Sequence, residues 1–427
     1  MQKLLDFFIN IQKLKSQKRK GWIVHQIKDS ESTASHIFRT TILSWILARR
    51  KKLNIGKVIK MGLIHDLCEV FTFDETPYDP LLPKEIDSSQ SQKRIDEVLR
   101  KWPKFTLQQK KEKIRKKAAR ELRAFKKLTS NLPIALKNEL ETLWLDFEKG
   151  LSKEARFVKQ TDKAENLLQG LEYWEKYGKI QRDLWIRWAR EIFDDPVLIQ
   201  FEKAIEKRFF EKFKERTGEM DKILDFLIQV GELKTILRKG SVLIEAKNPE
   251  TIAEHIFRVA IMAWVLGEAR KVNFNIKRIL KIALVHDLCE VSIGDITPYE
   301  GILPKDKKEW PELFDRWPRF SKTEKKKIAL EKQKREGQAL GELIAELPWD
   351  LKKEIKSLWL DYRQGSTKEA RFVKQVNRIE TLLQALEYSR QNKRRPFKSW
   401  WVGSEEQVDD SLLVKFMEEL GKNFVYD

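Results

Sequence analysis

Cysteine is almost absent from this sequence of 427 residues, which has only two, Cys68 and Cys289. They occupy equivalent places in two copies of one motif, so neither is placed for a disulfide framework. Both are expected to be small buried side chains and not catalytic thiols. Because such cysteine usage suits a reducing compartment, we predict a cytoplasmic location.

Long apolar runs are also missing. No stretch approaches the roughly 18 residues that span a bilayer, and the charged residues, 35% of the chain, are scattered through amphipathic segments. Near the start, Lys3 and Asp6 interrupt the apolar pattern, which favours an amphipathic helix over a secretory signal. The sequence predicts no membrane partner, and its apolar fraction of 41% suffices for a core.

Signals for β-structure are lacking as well. The sequence has no alternating strand pattern and no Asn-Gly hairpin signal. Apolar residues recur instead at helical spacing over 37–46, 58–68 and 140–147. These patterns predict an all-α fold in which residues 58–68 form one helix.

Histidine is scarce, with five in the chain, and four of the five form two equivalent pairs. His36 precedes His65 by 29 residues, and His255 precedes His286 by 31. Because an aspartate follows both His65 and His286, metal ligation is the favoured interpretation of the pairs. His25 has no histidine counterpart, and we expect a non-catalytic role for it.

The sequence is an internal duplication along its full length. Residues 153–160 return letter for letter at 368–375, a shift of 215. A repeat of this length is a duplicated domain and not a solenoid. We predict two domains, 1–216 and 220–427, that pack together.

Both copies contain an apolar stretch interrupted by a His-Asp pair and a glutamate. In a helix, His65 and Glu69 share one face, while Asp66 projects about 100° away. These groups can therefore converge on an ion only with partners from other helices. His36 is one such partner, and Asp162, in the helix that follows Lys153, is the candidate second carboxylate of a His₂Asp₂ set.

The ordered set His36, His65, Asp66 and Asp162 resembles the H…HD…D signature of the HD-domain metal-dependent phosphohydrolase superfamily. More narrowly, the chain is similar to the 5′-deoxynucleotidases. The segments that carry this similarity are 19–22, 157–162, 249–255 and 286–298.

The resemblance implies one divalent ion in the first copy, held by those four residues, with Mn, Co, Fe, Mg and Zn all open as its identity. It implies that Glu69 and Asp74 work on the attacking water and the leaving group. Arg19 would bind phosphate, Trp22 would pack on the sugar and disfavour a ribose 2′-hydroxyl, and Glu121 would be an acidic pocket residue.

The second copy departs from the signature in one ligand. Asn377 stands where Asp162 does, and Ser241 stands where Trp22 does. Because an amide is a neutral ligand, this copy is expected to bind metal weakly or not at all. We interpret it as a degenerate scaffold, with a regulatory nucleotide site as the alternative. Its remaining equivalent groups are His255, His286, Asp287, Arg238, Glu290 and Asp295.

The sequence thus predicts a tandem HD-domain enzyme that removes the 5′-phosphate from nucleoside monophosphates, chiefly deoxy forms. As such relatives are commonly homodimers, we expect the two halves to form an intrachain pseudo-dimer within a monomeric chain.

An HD-type reaction on a polyphosphorylated or cyclic nucleotide is an alternative. The net charge of +20 leaves another, a nucleic-acid-binding module with a vestigial site and contacts from Trp102, Trp317 and the lysine-rich helices. Retention of every ligand type in the first copy disfavours it.

Overall fold

The structure is a computed structural model, and it describes most of the chain. The described residues are 1–76, 78–79, 81–83, 89–99, 106–211, 215–270, 272–297, 299, 302–315, 321–393 and 398–424. Within them the regular elements are helices, and only isolated β-bridges occur, between Lys18 and Ser32 and between Leu237 and Thr251. The all-α prediction is confirmed. None of these helices has the length and apolar character needed to cross a bilayer.

The helices of the two copies follow one another in similar order. In the first copy they are α1 (Gln2–Ile11), α2 (Lys13–Ser16), α3 (Lys20–Val24), α4 (Thr33–Ala48), α5 (Ile55–Ile64), α6 (Glu69–Thr72), α7 (Ser89–Leu99), α8 (Leu107–Thr129), α9 (Ile134–Lys149), α10 (Lys153–Tyr177), α11 (Arg182–Ile192) and α12 (Pro196–Phe210). In the second they are α13 (Glu219–Glu232), α14 (Lys239–Leu243), α15 (Ile252–Ala269), α16 (Ile276–Val285), α17 (Glu290–Ile293), α18 (Trp310–Asp315), α19 (Lys322–Leu343), α20 (Trp349–Gln364), α21 (Lys368–Gln391), α22 (Lys398–Glu405) and α23 (Ser411–Phe424), with a 3₁₀ turn at Lys307–Glu309.

The chain forms two compact units. One consists of Lys13–Ser130 and Lys137–Leu224, and the other of Met1–Gln12, Asn131–Leu136 and Asp225–Asp427. Each unit therefore contains a short segment from the other copy. The domain boundaries read from the sequence repeat, and the pseudo-dimer, stay predictions.

Helix α1 belongs to the unit that is built mainly from the second copy. Its aromatic side chain Phe8 meets Phe416 of α23 edge to face, with ring centroids 5.7 Å apart. Gln12, at the end of α1, accepts a hydrogen bond of 2.9 Å from Arg258 of α15. The amphipathic helix predicted at the start of the chain is thus a core element, because its apolar face is covered.

Helix α4 is buried along its whole length and is the central helix of the first unit. Its start is capped by Ser32, whose side chain accepts from the Ser35 amide. Buried Arg39 binds Glu165 and Glu172 of α10, each at 2.8 Å. This ion network fixes the rotation of α4 against α10, because breaking it would leave a charge buried without a partner.

The motif stretch 58–68 is not one helix, so this prediction is wrong at its end. Helix α5 ends at Ile64, and α6 begins only at Glu69. Between them the amide of Leu67 bonds to the carbonyl three residues back, as does that of Glu69. The His65 ring bonds the Gly62 carbonyl at 2.7 Å and so competes with the regular helical pattern.

Helices α4 and α5 approach most closely at Gly62. A Cβ atom at this position would lie 3.1 Å from the Cα of Thr41 and 3.0 Å from its Oγ1. The second copy has alanine in both equivalent places, Ala283 and Ala260. The two copies therefore fill the same helix crossing with different pairs of side chains.

Candidate metal centre

Two imidazole rings meet at the centre of the first site. The Nε2 atoms of His36 and His65 are 3.3 Å apart. The Nδ1 of His36 lies 2.5 Å from Glu165, and the Nδ1 of His65 lies 2.7 Å from the Gly62 carbonyl. Because both partners are acceptors, each Nδ1 carries the proton, and each Nε2 can then present a lone pair.

Two carboxylates join these rings. An oxygen of Asp66 lies 3.3 Å from the Nε2 of His65 and 3.8 Å from that of His36. An oxygen of Asp162 lies 3.1 Å from the Nε2 of His36. Around an ion with ligand distances of about 2.0–2.2 Å, neighbouring ligand atoms are about 3–3.6 Å apart. The ligand atoms of His36, His65 and Asp66 lie within 4.8 Å of one another and fit a divalent cation. Asp162 adjoins this group through His36, and Glu165 orients the His36 ring from behind.

The acidic groups give this site a preference for positive charge. The pKa of His36 is raised to about 9: burial and Arg19 act to lower it, but Glu165 and Asp162 outweigh them. The pKa of Asp162 is lowered well below its usual range, because Lys163 and His36 outweigh the opposing effect of burial. A cation placed between these groups would take over the role of the proton.

Arg19 lies at the edge of the ligand set, just before α3. Its guanidinium donates to Asp66 at 3.0 Å and to Asn166 at 2.8 Å, and lies 3.7 Å from Asp74. Asp74 in turn accepts from the backbone amide of Lys20 at 2.8 Å. Two of the residues singled out in the sequence, Asp66 and Asp74, therefore flank one guanidinium.

Glu69 is buried beside this group. It accepts a hydrogen bond of 3.1 Å from the hydroxyl of Thr33. Burial, with the charges of Asp66 and Asp74, raises the pKa of Glu69 well above its usual value. A carboxyl group held in this way exchanges its proton closer to neutral pH than an exposed one.

Glu121 comes from α8 and is also buried. It pairs with Lys117 at 3.4 Å. Burial raises its pKa to about 7, assisted by Glu148 and Asp66 and opposed by Lys117. Glu121 thus feels the charge of Asp66.

Trp22 is buried in an aromatic cluster and not displayed at an open surface. Its indole N–H donates to Glu31 at 2.9 Å. Its ring stacks on Trp185, with centroids 5.3 Å apart, and meets Tyr173 edge to face at 5.2 Å. His25 borders the same cluster, 6.5 Å from Trp185.

Several residues of the site were missed by the sequence analysis. Glu165 and Asn166 lie one turn after Asp162 on α10 and contact His36 and Arg19 respectively. The equivalent Glu380 binds His255 at 2.5 Å in the second copy. That repeated glutamate, three residues after the ligand position, was the signal available in the sequence.

The second copy brings together His255, His286 and Asp287, with their ligand atoms within 4.8 Å of one another. Asn377 is turned aside, and its amide donates to the hydroxyl of Tyr362 at 2.7 Å. The pKa of His255 is lowered to about 4, because burial and the nearby Arg238 outweigh Glu380. The pKa of His255 is therefore shifted in the opposite direction to that of His36.

Three segments of the chain match the family model described as HD domain, residues 11–116, 105–187 and 230–410. Together they cover more than half of the chain, which belongs to the HD-domain family. The predicted family is confirmed.

Within that family, the chain is similar to proteins named 5′-deoxynucleotidase. It is 37% identical to 5′-deoxynucleotidase HDDC2 of Homo sapiens over 199 residues, which are 46% of this chain and 84% of that protein. It is 34% identical to 5′-deoxynucleotidase hdd1 of Schizosaccharomyces pombe over 172 residues, 39% of this chain and 73% of that protein. Each relative corresponds in length to about one of the two copies.

Among solved structures, the PH0347 protein from Pyrococcus horikoshii OT3 is 22% identical. The similarity covers 47% of this chain and 98% of that protein, with a TM-score of 0.36.

Proposed function

We propose that the first copy hydrolyses the 5′-phosphate of nucleoside monophosphates, with a preference for deoxy forms. The observation that carries this proposal is the pair of imidazole Nε2 atoms 3.3 Å apart, each with its Nδ1 bonded to an acceptor. The similarity to proteins named 5′-deoxynucleotidase supports the substrate class.

In this proposal, His36, His65, Asp66 and Asp162 hold a divalent ion whose identity, among Mn, Co, Fe, Mg and Zn, is open. When bound, such an ion polarises a phosphoryl oxygen and makes a water molecule more acidic. The residues themselves position the substrate and move protons. Because the ligand set contains no thiolate, it suits any of these metals.

Arg19 would bind the non-bridging phosphate oxygens. Its planar fork matches two oxygens at once, and it already touches Asp66 and Asn166 beside the ligand set. Glu69 would accept the proton of the attacking water, and Asp74 would act toward the leaving group. The Lys20 amide holds Asp74, which follows α6, beside Arg19, the residue before α3.

Trp22 and Glu121 would shape the pocket. The buried Trp22 ring offers no partner for a ribose 2′-hydroxyl apart from its own N–H, which is bonded to Glu31. An unpaired hydroxyl costs about 1–3 kcal/mol, which favours deoxyribose. Glu121 would present a second acidic wall opposite the phosphate end.

A nucleic-acid-binding role has less support. The two tryptophans invoked for it, Trp102 and Trp317, lie outside the described residues.

A cytoplasmic location remains our proposal, and the free, buried state of Cys68 and Cys289 agrees with the expected absence of a disulfide framework. A monomeric chain is proposed from the duplication alone.

The test is phosphate release by the purified full chain from the deoxy and ribo forms of each nucleoside 5′-monophosphate. Each assay is run with Mn, Co, Fe, Mg or Zn, and after treatment with a chelator. We expect release that depends on a divalent metal and is faster for the deoxy substrates. Absence of release with every metal would contradict the proposal.

A further inference from the structure

A cavity of about 560 Å³ opens in the second copy beside its His-Asp motif. We call it the basic cavity, because six cationic residues line it against three anionic ones. The cationic residues are Arg238, Lys332, Arg363, Arg371, Lys374 and Arg378. The anionic residues are Asp287, Glu290 and Asp295. A volume of this size suits a drug-sized or nucleotide-sized ligand.

The positive charge arose at positions that are ion pairs in the first copy. There Lys159 lies 4.0 Å from Glu148, but the equivalent second-copy residues are Lys374 and Arg363, both cationic. The side of the cavity formed by α20 and α21 therefore has one carboxylate fewer and one cation more than the equivalent side in the first copy. Because neighbouring cations repel one another, such a change makes the empty cavity less stable and favours the binding of an anion.

A second ion pair changed in the same direction. In the first copy Lys163 binds Asp162 at 2.8 Å. In the second copy Arg378 follows the neutral Asn377, and its guanidinium donates to the Gly403 carbonyl at 3.3 Å.

Arg363 and Lys374 interact across the cavity wall. The Lys374 ammonium donates to the Arg363 backbone carbonyl at 3.0 Å, which keeps the two side chains adjacent. Partial burial and the charge of Arg363 lower the pKa of Lys374. Arg363 also pairs with Glu336 of α19, so one of the two charges is partly compensated.

The other half of the cavity is apolar. Ser241 stands where the indole of Trp22 packs on Trp185 in the first copy. The equivalent Trp400 consequently lines the cavity, together with Tyr299 and Phe314. Aromatic side chains of this kind can cover the face of a base.

We propose that the basic cavity binds a nucleoside polyphosphate, with its phosphate chain on Arg363, Lys374 and Arg378 and its base near Trp400. A monophosphate carries only about two negative charges, so a chain of two or three phosphates matches the cationic excess better. The bound molecule is not hydrolysed, because Asn377 is bonded to Tyr362 and supplies no carboxylate. The second copy is then a ligand-binding site and not only a scaffold.

The test is isothermal titration calorimetry on the full chain with the four 2′-deoxynucleoside 5′-triphosphates and with inorganic triphosphate. Titrations are run in an Asp162→Asn background, which blocks first-copy chemistry. We expect one site per chain, and an affinity at least about tenfold weaker after Arg363→Glu, which restores the first-copy charge. Lys374→Gln should weaken binding by about threefold.

Lys415→Glu is the matched control, because it makes the same charge change at an exposed position of α23, outside the cavity. The affinity of this variant for the triphosphates should stay within about twofold of that of the parent chain. Thermal unfolding checks that each variant is folded, and Lys374→Gln carries the test if Arg363→Glu does not fold.

Three results would overturn the inference. They are the absence of binding by every triphosphate, an affinity that neither cavity variant changes, and release of phosphate from the bound triphosphate in the Asp162→Asn background. Equal affinities for inorganic and nucleoside triphosphates would overturn the nucleoside part. None of these results depends on whether the first copy hydrolyses monophosphates, so the two proposals fail separately.

Discussion

At the scale of residues, the two copies differ at the last predicted ligand position, Asp162 in the first and Asn377 in the second. Asp162 contacts His36, whose pKa is raised to about 9, whereas Asn377 is turned to Tyr362 and the pKa of His255 is lowered to about 4. His36 and His255 therefore differ in their preference for a positive charge. This contrast makes the ligand position itself the most informative place for mutation.

The variant Asp162→Asn should reduce phosphate release by about 100-fold or more, because it removes a charged ligand and leaves the fold intact. The fold should tolerate it, since Asn377 occupies the equivalent place in the second copy. Steady-state phosphate release measures the effect. His286→Ala is the matched control and should keep most of the activity. If activity survived Asp162→Asn and disappeared with His286→Ala, the catalytic copy would be the second one.

Trp22 offers a test of sugar selectivity. Trp22→Ala should lower the ratio of deoxy to ribo kcat/KM by about tenfold, because it removes the apolar surface that leaves a 2′-hydroxyl unpaired. The ring is buried, so the variant should also lose about 3–5 kcal/mol of stability, and assays belong at low temperature.

The control for that loss is Trp174→Ala. Trp174 packs against the same cluster but stacks on Phe210, with ring centroids 6.1 Å apart. This variant should lose stability and keep the deoxy to ribo ratio. Unchanged ratios in Trp22→Ala would remove Trp22 from substrate selection.

At the scale of elements, the crossing of α4 and α5 carries one ligand on each side, because His36 lies in α4 and His65 caps α5. The spacing of this crossing depends on Gly62, whose hydrogen faces Thr41. Alanine fits the same place in the second copy, where its neighbour is the smaller Ala260. The two residues that meet at the crossing are therefore matched in size within each copy.

Gly62→Ala alone should destabilise the protein by about 1–3 kcal/mol, because its Cβ would overlap Thr41. The double variant Gly62→Ala with Thr41→Ala should recover at least about half of that loss. Denaturant unfolding provides the measurement. Gly341→Ala in α19 is the control, because nothing lies within 4 Å of the added Cβ. Additive losses in the double variant would show that the two positions are not coupled.

Helix α12 contains a buried acid that links stability to pH. Burial raises the pKa of Glu202 to about 7, assisted by Glu206 and opposed by Arg190. An acid with a folded pKa above its unfolded value binds more protons when folded. Stability therefore falls as the pH rises from the unfolded pKa toward the folded one.

Glu202→Gln should remove this dependence. Compared with the parent chain, its free energy of unfolding should be higher by about 1–2 kcal/mol at about pH 8, with a smaller difference at about pH 5. Denaturant midpoints at both pH values measure the effect. Glu211→Gln, on the exposed residue just after α12, is the control and should behave alike at both values. A gain in the free energy of unfolding that is larger at the lower pH would contradict the predicted direction of the effect.

The whole molecule combines two sites whose predicted ligand sets differ by one carboxylate. We expect about one tightly bound divalent metal per chain, because only the first copy has both carboxylates at the ligand positions. Elemental analysis of the dialysed protein gives the number. The value should fall toward zero in Asp162→Asn, and it should rise toward two in the reciprocal variant Asn377→Asp. Two equally occupied sites in the parent chain would contradict this assignment.

The helical class, the duplication and the HD-domain family could be predicted from the amino-acid sequence, because periodicity, repeats and ordered motifs are local properties of the chain. The sequence also marked His36, His65 and Asp66 as a group. The sequence did not predict the break between α5 and α6, because the apolar pattern continues across it. A hydrogen bond between the His65 ring and a backbone carbonyl interrupts the helix there.

The partners that support these groups depend on how the helices pack. Glu165 meets His36 because Arg39 fixes α4 against α10, and no spacing in the sequence encodes that rotation. The placement of α1 in the unit of the second copy depends on where a buried apolar face finds its complement. Burial and long-range ion pairs are properties of the packed chain, so the charge preference of each site appears only after folding.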